Sequence, residues 1–395
     1  MVRTKHIVYV SDAKRHNHNL RYGHKILSAD RIIRPPSRGG PRDLKLLQSY
    51  KDHVVGRVWI SELRAELKLI NHGSSVIPYP TQLTVKEYVV RSRLLDLYDA
   101  QYTGMSNGVI NAFIERWHNE TSSFYLLVGK KTITLGDVSC LLHLPIIGQL
   151  LGHTMTSYTK KKIRRLLRSQ LGIMTNQEAN VVMSVGNKAT RAYLLYLFGN
   201  VIFVDKSSMH VHISYLQYIN NLYHYNEYTC EVASLPYLYD QLSHASLYES
   251  KQMSGHVAPL MITGPITILA CEEVLEYDHE QPLATRWRPL RDTNKVDSTK
   301  EVLERLQLTG VVWSPYASQR DLRPFKDQTY YSGNIRVGTN ILLYLPERVL
   351  RKFRYIIIIV VVVVVRYSTY DVACTLFLCS MNLYLILLCL HCFYV

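Results

Sequence analysis

The stretch 106–148 constrains the fold most, because its apolar residues change from helical spacing to a strand-like run and back to helical spacing. Ser106 can cap a first helix. One side of that helix would be formed by Val109, Ile110, Phe113 and Trp117. An apolar run at 124–128, a turn at 129–131 and a shorter run at 132–134 then predict a β-hairpin.

A second helix start follows the predicted hairpin. Thr134 can act as the N-cap, and Asp137 places a carboxylate at the third position, where a helix N-terminus favours an anion. Apolar residues within 138–142 would form the buried side of this helix, and Pro145 would end it.

The rest of the chain favours more helices. The segment 190–199 is apolar on nearly every side and would end at Gly199. Helices are also predicted at 214–224 and 231–246, the second on condition that Pro236 lies in its first turn. We therefore predict a mainly α domain with a minor β-hairpin.

The aromatic composition predicts an unusual core. The chain has 29 tyrosines and only 8 phenylalanines. Because tyrosine buries its ring but keeps a polar hydroxyl, such a core is predicted to be hydrogen-bonded at its margins.

The net charge of +15 is unevenly distributed. Region 1–57 carries 13 Lys or Arg against 4 Asp, and we predict a basic, largely disordered N-terminal region there. A second cluster lies on the polar face of a predicted amphipathic helix: Lys160, Lys161, Lys162, Arg164, Arg165 and Arg168. This cluster is either a solvated helix face or a nonspecific nucleic-acid contact, since charge alone reads no base sequence.

No catalytic, cofactor-binding or metal-ligating residue is predicted. The glycine-rich phosphate motifs and the Gly-x-Ser-x-Gly motif are missing from the sequence. Cys140 and His143 form one Cys-x-x-His pair, whereas a structural zinc site needs four converging ligands. With no visible signal peptide, the central cysteines are best interpreted as reduced core residues.

The stretch 129–148 resembles the signature of the plant mobile domain family, often labelled aminotransferase-like, of the maintenance-of-meristems type. The residues that carry the resemblance include Trp117, Gly129, Thr132, Thr134, Leu135 and Asp137, followed by Leu144, Pro145, Ile146 and Gly148 in a Leu-Pro-Ile-x-Gly motif. Further matches are Asp205 and Lys206 in an Asp-Lys-Ser turn, and Trp313 and Pro315 in Trp-Ser-Pro-Tyr. The chain departs from the family pattern at Gly136, usually Glu or Gln, and at His143, usually Gly.

The resemblance covers roughly 85–355 and implies one large, mainly helical domain. It also implies a non-enzymatic nuclear protein-interaction module linked to transposon and gene silencing, genome stability and meristem development. A phosphatase-seven-like protein or other silencing factors are the implied partners. The aminotransferase label prompts a search for a pyridoxal lysine, and Lys206 is better interpreted as part of a polar turn. An enzyme of unknown type and a transposon-derived copy without a cellular role stay open.

The tail 356–395 is predicted to be a low-complexity apolar segment. It opens with four isoleucines and six valines, and 372–395 is apolar enough and long enough to cross a bilayer. The alternatives are a membrane anchor and a translated intron or repeat. Localisation is therefore predicted as the nucleus, with a membrane as the alternative.

Overall fold

Helices provide most of the regular structure in this computed structural model. It describes residues 8–9, 24–25, 47–55, 67–70, 81, 83–92, 94–100, 107–152, 158–172, 186–206, 211–255, 271–289, 303, 305–307, 316, 319–347, 349, 363–367, 370–379 and 384–390. The helices are α1 (Leu83–Arg91), α2 (Leu95–Asp99), α3 (Asn107–Ile114), α4 (Leu135–Leu142), α5 (Lys160–Leu166), α6 (Gly186–Leu197), α7 (Leu216–Ile219) and α8 (Cys230–Ala245). π-Helical turns at Leu167–Leu171 and Phe198–Ile202 continue α5 and α6. The predicted mainly α fold is confirmed.

The strands are short and form small sheets. They are β1 (Val8–Tyr9), β2 (His24–Lys25), β3 (Lys68–Leu69), β4 (Trp117–His118), β5 (Ser123–Leu126), β6 (Gly129–Lys131), β7 (Gln252–Met253), β8 (Cys271–Glu273), β9 (Trp287–Pro289), β10 (Gly333–Val337), β11 (Asn340–Tyr344), β12 (Val363–Tyr367), β13 (Tyr370–Cys379) and β14 (Tyr384–Leu390). Antiparallel sheets join β4–β5–β6, β12–β13–β14 and the pairs β1–β2, β8–β9 and β10–β11, whereas β3 pairs with β7 in parallel.

Helix α3 is shorter than predicted. It ends at Ile114, so the placement of Trp117 on its apolar face is wrong, and Trp117 lies in β4 opposite Phe124. The chain turns between them, where the Arg116 amide donates to the Phe113 carbonyl at 2.8 Å. The Trp117 and Phe124 ring centroids are 4.8 Å apart, and this cross-strand aromatic pair stabilises the sheet in place of another helical turn.

The predicted hairpin is present as β5 and β6, but the turn predicted at 129–131 is displaced. Leu126 pairs with Gly129, so the turn consists of Leu127 and Val128, and 129–131 is strand. The reason is backbone geometry. Gly129 has φ +119°, which ordinary residues rarely adopt, and it brings the chain back from the turn into β6.

Helix α4 begins as predicted. Thr134 is its N-cap, and a capping box joins Thr134 to Asp137. The helix ends at Leu142, earlier than the predicted stop at Pro145, because His143 takes the left-handed conformation with φ 52°. That conformation favours glycine, which accounts for the glycine usual in the family pattern. Gly136, where the family usually has Glu or Gln, lies close to Thr329. A Cβ atom at position 136 would be 3.0 Å from the Thr329 methyl group, so glycine fits against this neighbour where a larger residue would crowd it.

Helix α6 does not end at Gly199, and that prediction is wrong. The chain continues through a π turn to Ile202. A Cβ atom at Gly199 would lie 2.0 Å from the side chain of Val211, so the glycine admits a close neighbour instead of stopping the helix. The helix predicted at 214–224 is reduced to α7, Leu216–Ile219, with turns on either side.

Helix α8 carries a proline in its interior. Pro236 lies well beyond the first turn, contrary to the condition set for it. Proline in this position removes a backbone donor and crowds the carbonyl four residues earlier. Packing compensates, because α8 packs against α4, β7, β10 and β11. Its residues Leu235, Leu238 and Leu242 are buried in one continuous core that extends from Leu67 to Tyr344.

The predicted N-terminal region 1–57 lies mostly outside the described residues. Its last part, 47–55, is described and contacts the domain. The Val54 amide donates to the Ser246 carbonyl at 2.8 Å, and His53 forms a bridge with Leu247.

The described parts of the apolar tail 356–395 are the strands β12, β13 and β14. Among the residues that the structure describes, none of the helices has both the length and the apolar character required to span a membrane.

Candidate interaction site

The signature carboxylate, Asp137, is enclosed in the core at the start of α4. Its side chain is 0% exposed and accepts hydrogen bonds from the Thr134 hydroxyl at 2.8 Å and from the Thr134 amide. The Tyr316 hydroxyl donates to its other oxygen. Burial, and then the nearby Asp137 charge, raise the pKa of Tyr316 well above its ordinary value, so the phenol keeps its proton.

Two further tyrosines hold the segment that leads into α4. The Tyr239 hydroxyl donates to the Ile133 carbonyl at 2.6 Å and lies 2.8 Å from the Thr132 hydroxyl. The Tyr344 hydroxyl accepts the Leu135 amide at 3.1 Å. Burial is the main cause that raises the pKa of both phenols. The hydroxyls of Tyr239, Tyr316 and Tyr344 are thus hydrogen-bonded, and they lie within the core and not only at its margins. The buried Tyr50 hydroxyl departs from the prediction, because it has no hydrogen-bond partner among the described residues.

This arrangement fits a structural role for the signature. A general acid or base must reach the proton that it transfers. Asp137 is fully buried and bound by three donors, so it fixes the helix start and offers no face to a substrate. Within the described residues, no group of three or more His, Cys, Asp or Glu side chains could hold a metal ion.

Other signature residues surround the same block. The Trp117 ring lies 4.9 Å from that of Tyr239, and its indole donates to the Ser243 hydroxyl at 3.1 Å. Leu144 is buried and Pro145 is half-buried in the segment that follows α4.

Four predicted signature residues are not among those described around α4. Asp205 is exposed and Lys206 is half-buried in the segment after the π turn that follows α6. Trp313 and Pro315 lie outside the described residues.

An apolar groove of about 550 Å³ opens on the surface beside the end of the signature. Its walls come from the segment after α4, the start of α8, the turn at 327–331 and β10. We define this groove by Leu135, Ile146, Ile147, Gly148, Leu150, Thr229, Val232, Asp327, Gln328, Tyr330, Tyr331, Asn334 and Ile335. Ile147 is 52% exposed and Tyr331 is 45% exposed, so apolar surface faces solvent at the rim.

Among the groove residues, the sequence signature includes Leu135, Ile146 and Gly148. Ile147 and Leu150 lie in an irregular segment without apolar periodicity, and Tyr330 and Tyr331 lie at the end of a short 3₁₀ turn far along the chain. Tertiary packing brings these residues together. The sequence signal closest to them is the Leu-Pro-Ile-x-Gly motif at 144–148.

The predicted basic helix is α5 with its π turn. Its six cations, Lys160, Lys161, Lys162, Arg164, Arg165 and Arg168, are all exposed and are called the basic face from here on. The Lys162 ammonium lies 4.5 Å from the Tyr158 ring centre. No carboxylate among the described residues forms an ion pair with the basic face.

The basic face lowers the stability of its own helix. Three like-charged pairs are four residues apart: Lys160 and Arg164, Lys161 and Arg165, Arg164 and Arg168. Each such pair costs about 0.2–0.5 kcal/mol. The first turn contains no acidic residue, and its three lysines also oppose the helix dipole.

A stacked pair of histidines joins segment 47–55 to the sheet. The rings of His53 and His118 are 4.7 Å apart and nearly parallel, and His53 Nε2 lies 2.7 Å from the Trp117 carbonyl oxygen. Burial, the neighbouring His53 and the Lys130 ammonium together lower the pKa of His118 from 6.5 to about 3. Tyr125 covers the edge of the ring.

We expect this pair to make the domain acid-sensitive. His118 is neutral when folded, so its stabilising contribution is complete above pH 6.5 and is lost as the pH falls towards 3. Between about pH 7 and about pH 4.5 that loss amounts to about 2–3 kcal/mol. Urea unfolding at both pH values measures it. The variant His118→Phe keeps an aromatic ring and should lose that much less stability on acidification, and equal losses in both proteins would contradict the expectation.

The fold and the position of the signature residues define a mainly α domain organised around a buried polar cluster. The chain belongs to the plant mobile domain family, whose model matches residues 94–356.

Similar curated proteins come from Arabidopsis thaliana. Protein MAIN-LIKE 1 is 27% identical over 355 residues, covering 80% of this chain and 67% of that protein. Protein MAINTENANCE OF MERISTEMS is 26% identical over 282 residues, covering 63% and 57%. A serine/threonine-protein phosphatase 7 long form homolog is 22% identical over 315 residues, covering 70% and 23%. The chain spans about two thirds or less of the length of these relatives, and no solved structure matches it.

Proposed function

We propose that this chain is a non-enzymatic nuclear protein-interaction module that acts in transposon and gene silencing, genome stability and meristem development. The apolar groove is the observation that carries the proposal. It lies beside the family signature, and its rim exposes aliphatic and aromatic side chains. The names of the relatives support the developmental part, since one of them is named for the maintenance of meristems.

The chemistry of the groove favours a protein ligand. Most of its lining is apolar, and its polar groups are few, among them Thr229, Asp327 and Gln328. A hydrophobic side chain of a partner that becomes fully buried here contributes about 1.5–3 kcal/mol. Such central apolar anchors dominate the affinity of many protein interfaces. A phosphatase-seven-like protein or another silencing factor is the partner that we propose, because a phosphatase 7 long form homolog is similar to this chain.

A pair of charge substitutions tests the groove. In the variant Ile147→Asp with Leu150→Asp, two partly exposed rim residues become carboxylates. Recovery of the nuclear partner should fall at least about tenfold, which corresponds to a loss of 1.4 kcal/mol in binding. The measurement is affinity purification of the tagged chain from plant nuclei with quantitative mass spectrometry.

The matched control is Leu275→Asp with Leu322→Asp, two exposed leucines outside the groove. It should recover the same nuclear partner as the unaltered chain. Recovery of that partner by the groove variant in equal amount would refute the groove as the binding site. A folded, unaltered chain without any nuclear partner would contradict the proposed function itself.

Nuclear localisation is part of the proposal. The alternative, a chain anchored in a membrane by its C-terminal tail, is tested by a separate experiment. If the tail anchors the chain, the full-length protein resists carbonate extraction from membranes and a chain truncated after Tyr355 does not.

A further inference from the structure

The function proposed above leaves the basic face unused. Its six cations are concentrated between Lys160 and Arg168, and all are exposed. Lys188 of α6 adds a seventh cation at the end of this surface, because its side chain lies against Gly172. A helix that carries only like charges on one side is destabilised unless an anionic ligand covers it.

We propose that the basic face binds the phosphate backbone of duplex DNA without sequence preference. Eight residue steps separate Lys160 from Arg168, which corresponds to about 12 Å along a helix axis. Duplex DNA carries one charge per ~1.7 Å, or about seven charges over that length. The spacing of the six cations is therefore comparable to the spacing of phosphates along the duplex, counted over both strands, and the major groove is also about 12 Å wide.

The apolar side of the same helix argues against a membrane. An interfacial helix needs a free apolar face that enters the lipid. Here Leu171 is buried, Leu167 packs against the core, and Ile163 and Leu166 are half-buried. Only the charged side faces solvent. An acidic protein partner is also a poorer match, because the cations enclose no apolar anchor of the kind that protein interfaces use.

The ordering of Lys162 supports a ligand made of repeated charges. Its ammonium lies over the Tyr158 ring at 4.5 Å, which holds this long side chain at the start of the row. Lys160 and Lys161 precede it in the same turn, and Arg164, Arg165 and Arg168 continue along α5 and its π turn.

The experiment measures binding of the full chain to a short fluorescent DNA duplex of mixed sequence over a range of salt concentrations. Six phosphate contacts give a slope of log affinity against log salt of about −5, and affinity falls about 10³-fold between about 50 and about 200 mM salt. Neutralising four cations should reduce the slope to about −2. The four substitutions are Lys161→Gln, Arg164→Gln, Arg165→Gln and Arg168→Gln.

A control variant with the same change in net charge tests whether the position of the cations matters for DNA binding. It replaces four exposed cations elsewhere: Lys68→Gln, Arg91→Gln, Lys251→Gln and Arg288→Gln. We expect its slope to stay near −5. Thermal unfolding checks that each protein is folded, and the double variant Arg164→Gln with Arg165→Gln, with a slope reduced by about 2, replaces the quadruple variant if that one does not fold.

Two outcomes overturn the inference. One is an equal reduction, in the control and the basic-face variant, of the slope of log affinity against log salt. That result would mean that binding depends on net charge alone. The other is binding of the full chain to phosphatidylserine-rich vesicles but not to DNA. The groove variant Ile147→Asp with Leu150→Asp keeps the basic face and should bind DNA normally, so failure of the proposed function and failure of this inference are distinguishable.

Discussion

Replacing Gly148 by alanine is expected to lower the free energy of unfolding by about 2–6 kcal/mol. Two costs combine at this position. Gly148 has φ +150°, which for a residue with a side chain costs about 1–3 kcal/mol. A Cβ atom would also lie 2.5 Å from the Glu227 carbonyl oxygen, and relieving such a clash in a packed region costs about 1–3 kcal/mol more. Urea unfolding at neutral pH measures the sum.

Gly129→Ala is the matched control for Gly148→Ala. Gly129 also has a positive φ, +119°, but a Cβ atom there meets nothing within 4 Å. Its substitution should cost only the backbone strain, about 1–3 kcal/mol. The difference between the two variants measures how closely the segment after α4 approaches the segment before α8. Equal costs would show that this contact contributes nothing.

The second large effect is expected for Asp137→Ala. The change removes the acceptor for the Thr134 hydroxyl and amide and for the Tyr316 hydroxyl, all inside the core. Each buried polar group left without a partner costs about 1–3 kcal/mol, so the loss of the acceptor for three donors should cost at least about 3 kcal/mol. Such a loss is a large part of the total, since domains are stable by only about 5–15 kcal/mol.

A double-mutant cycle separates the contact between Asp137 and Tyr316 from the rest. Tyr316→Phe removes one donor and keeps the ring, and alone it should cost about 1–3 kcal/mol. In the Asp137→Ala background it should cost clearly less, because its acceptor is already gone. Additive losses would mean that the Tyr316 hydroxyl and the carboxylate do not interact. Urea unfolding of the four proteins provides the numbers.

The parts of the fold that depend on neighbouring residues were predictable from the sequence. The cap Thr134 and the carboxylate Asp137 stand three residues apart, and their hydrogen bonds form within a single turn. The hairpin β5–β6 was predictable for the same reason, because its two strands are adjacent in the sequence. The basic helix was also predictable, because its apolar and charged residues already follow a helical period.

Several of the incorrect predictions share one cause, which is contact with residues outside the segment that the pattern covers, whereas the turn displaced from 129–131 and the early end of α4 follow from the backbone conformations of Gly129 and His143. Pro236 is held inside α8 by the packing around that helix, and Gly199 adapts to Val211 instead of ending α6. Trp117 leaves the helix for a sheet because Phe124 pairs with it. The groove forms where the segment 146–150 lies beside the segment 327–335, and no local sequence pattern predicts that contact.

The docking of segment 47–55 changes where the smallest folding fragment of this protein begins. The family match starts at residue 94, yet the Ser49 side chain and amide donate to Glu120, and the Leu67 amide lies 3.3 Å from its acceptor on Asn111. A fragment cut at the family boundary loses these donors, along with a strand that pairs with β7. Alignment limits therefore mark the shared part of the sequence, and the cooperative unit of this chain extends beyond them on the N-terminal side.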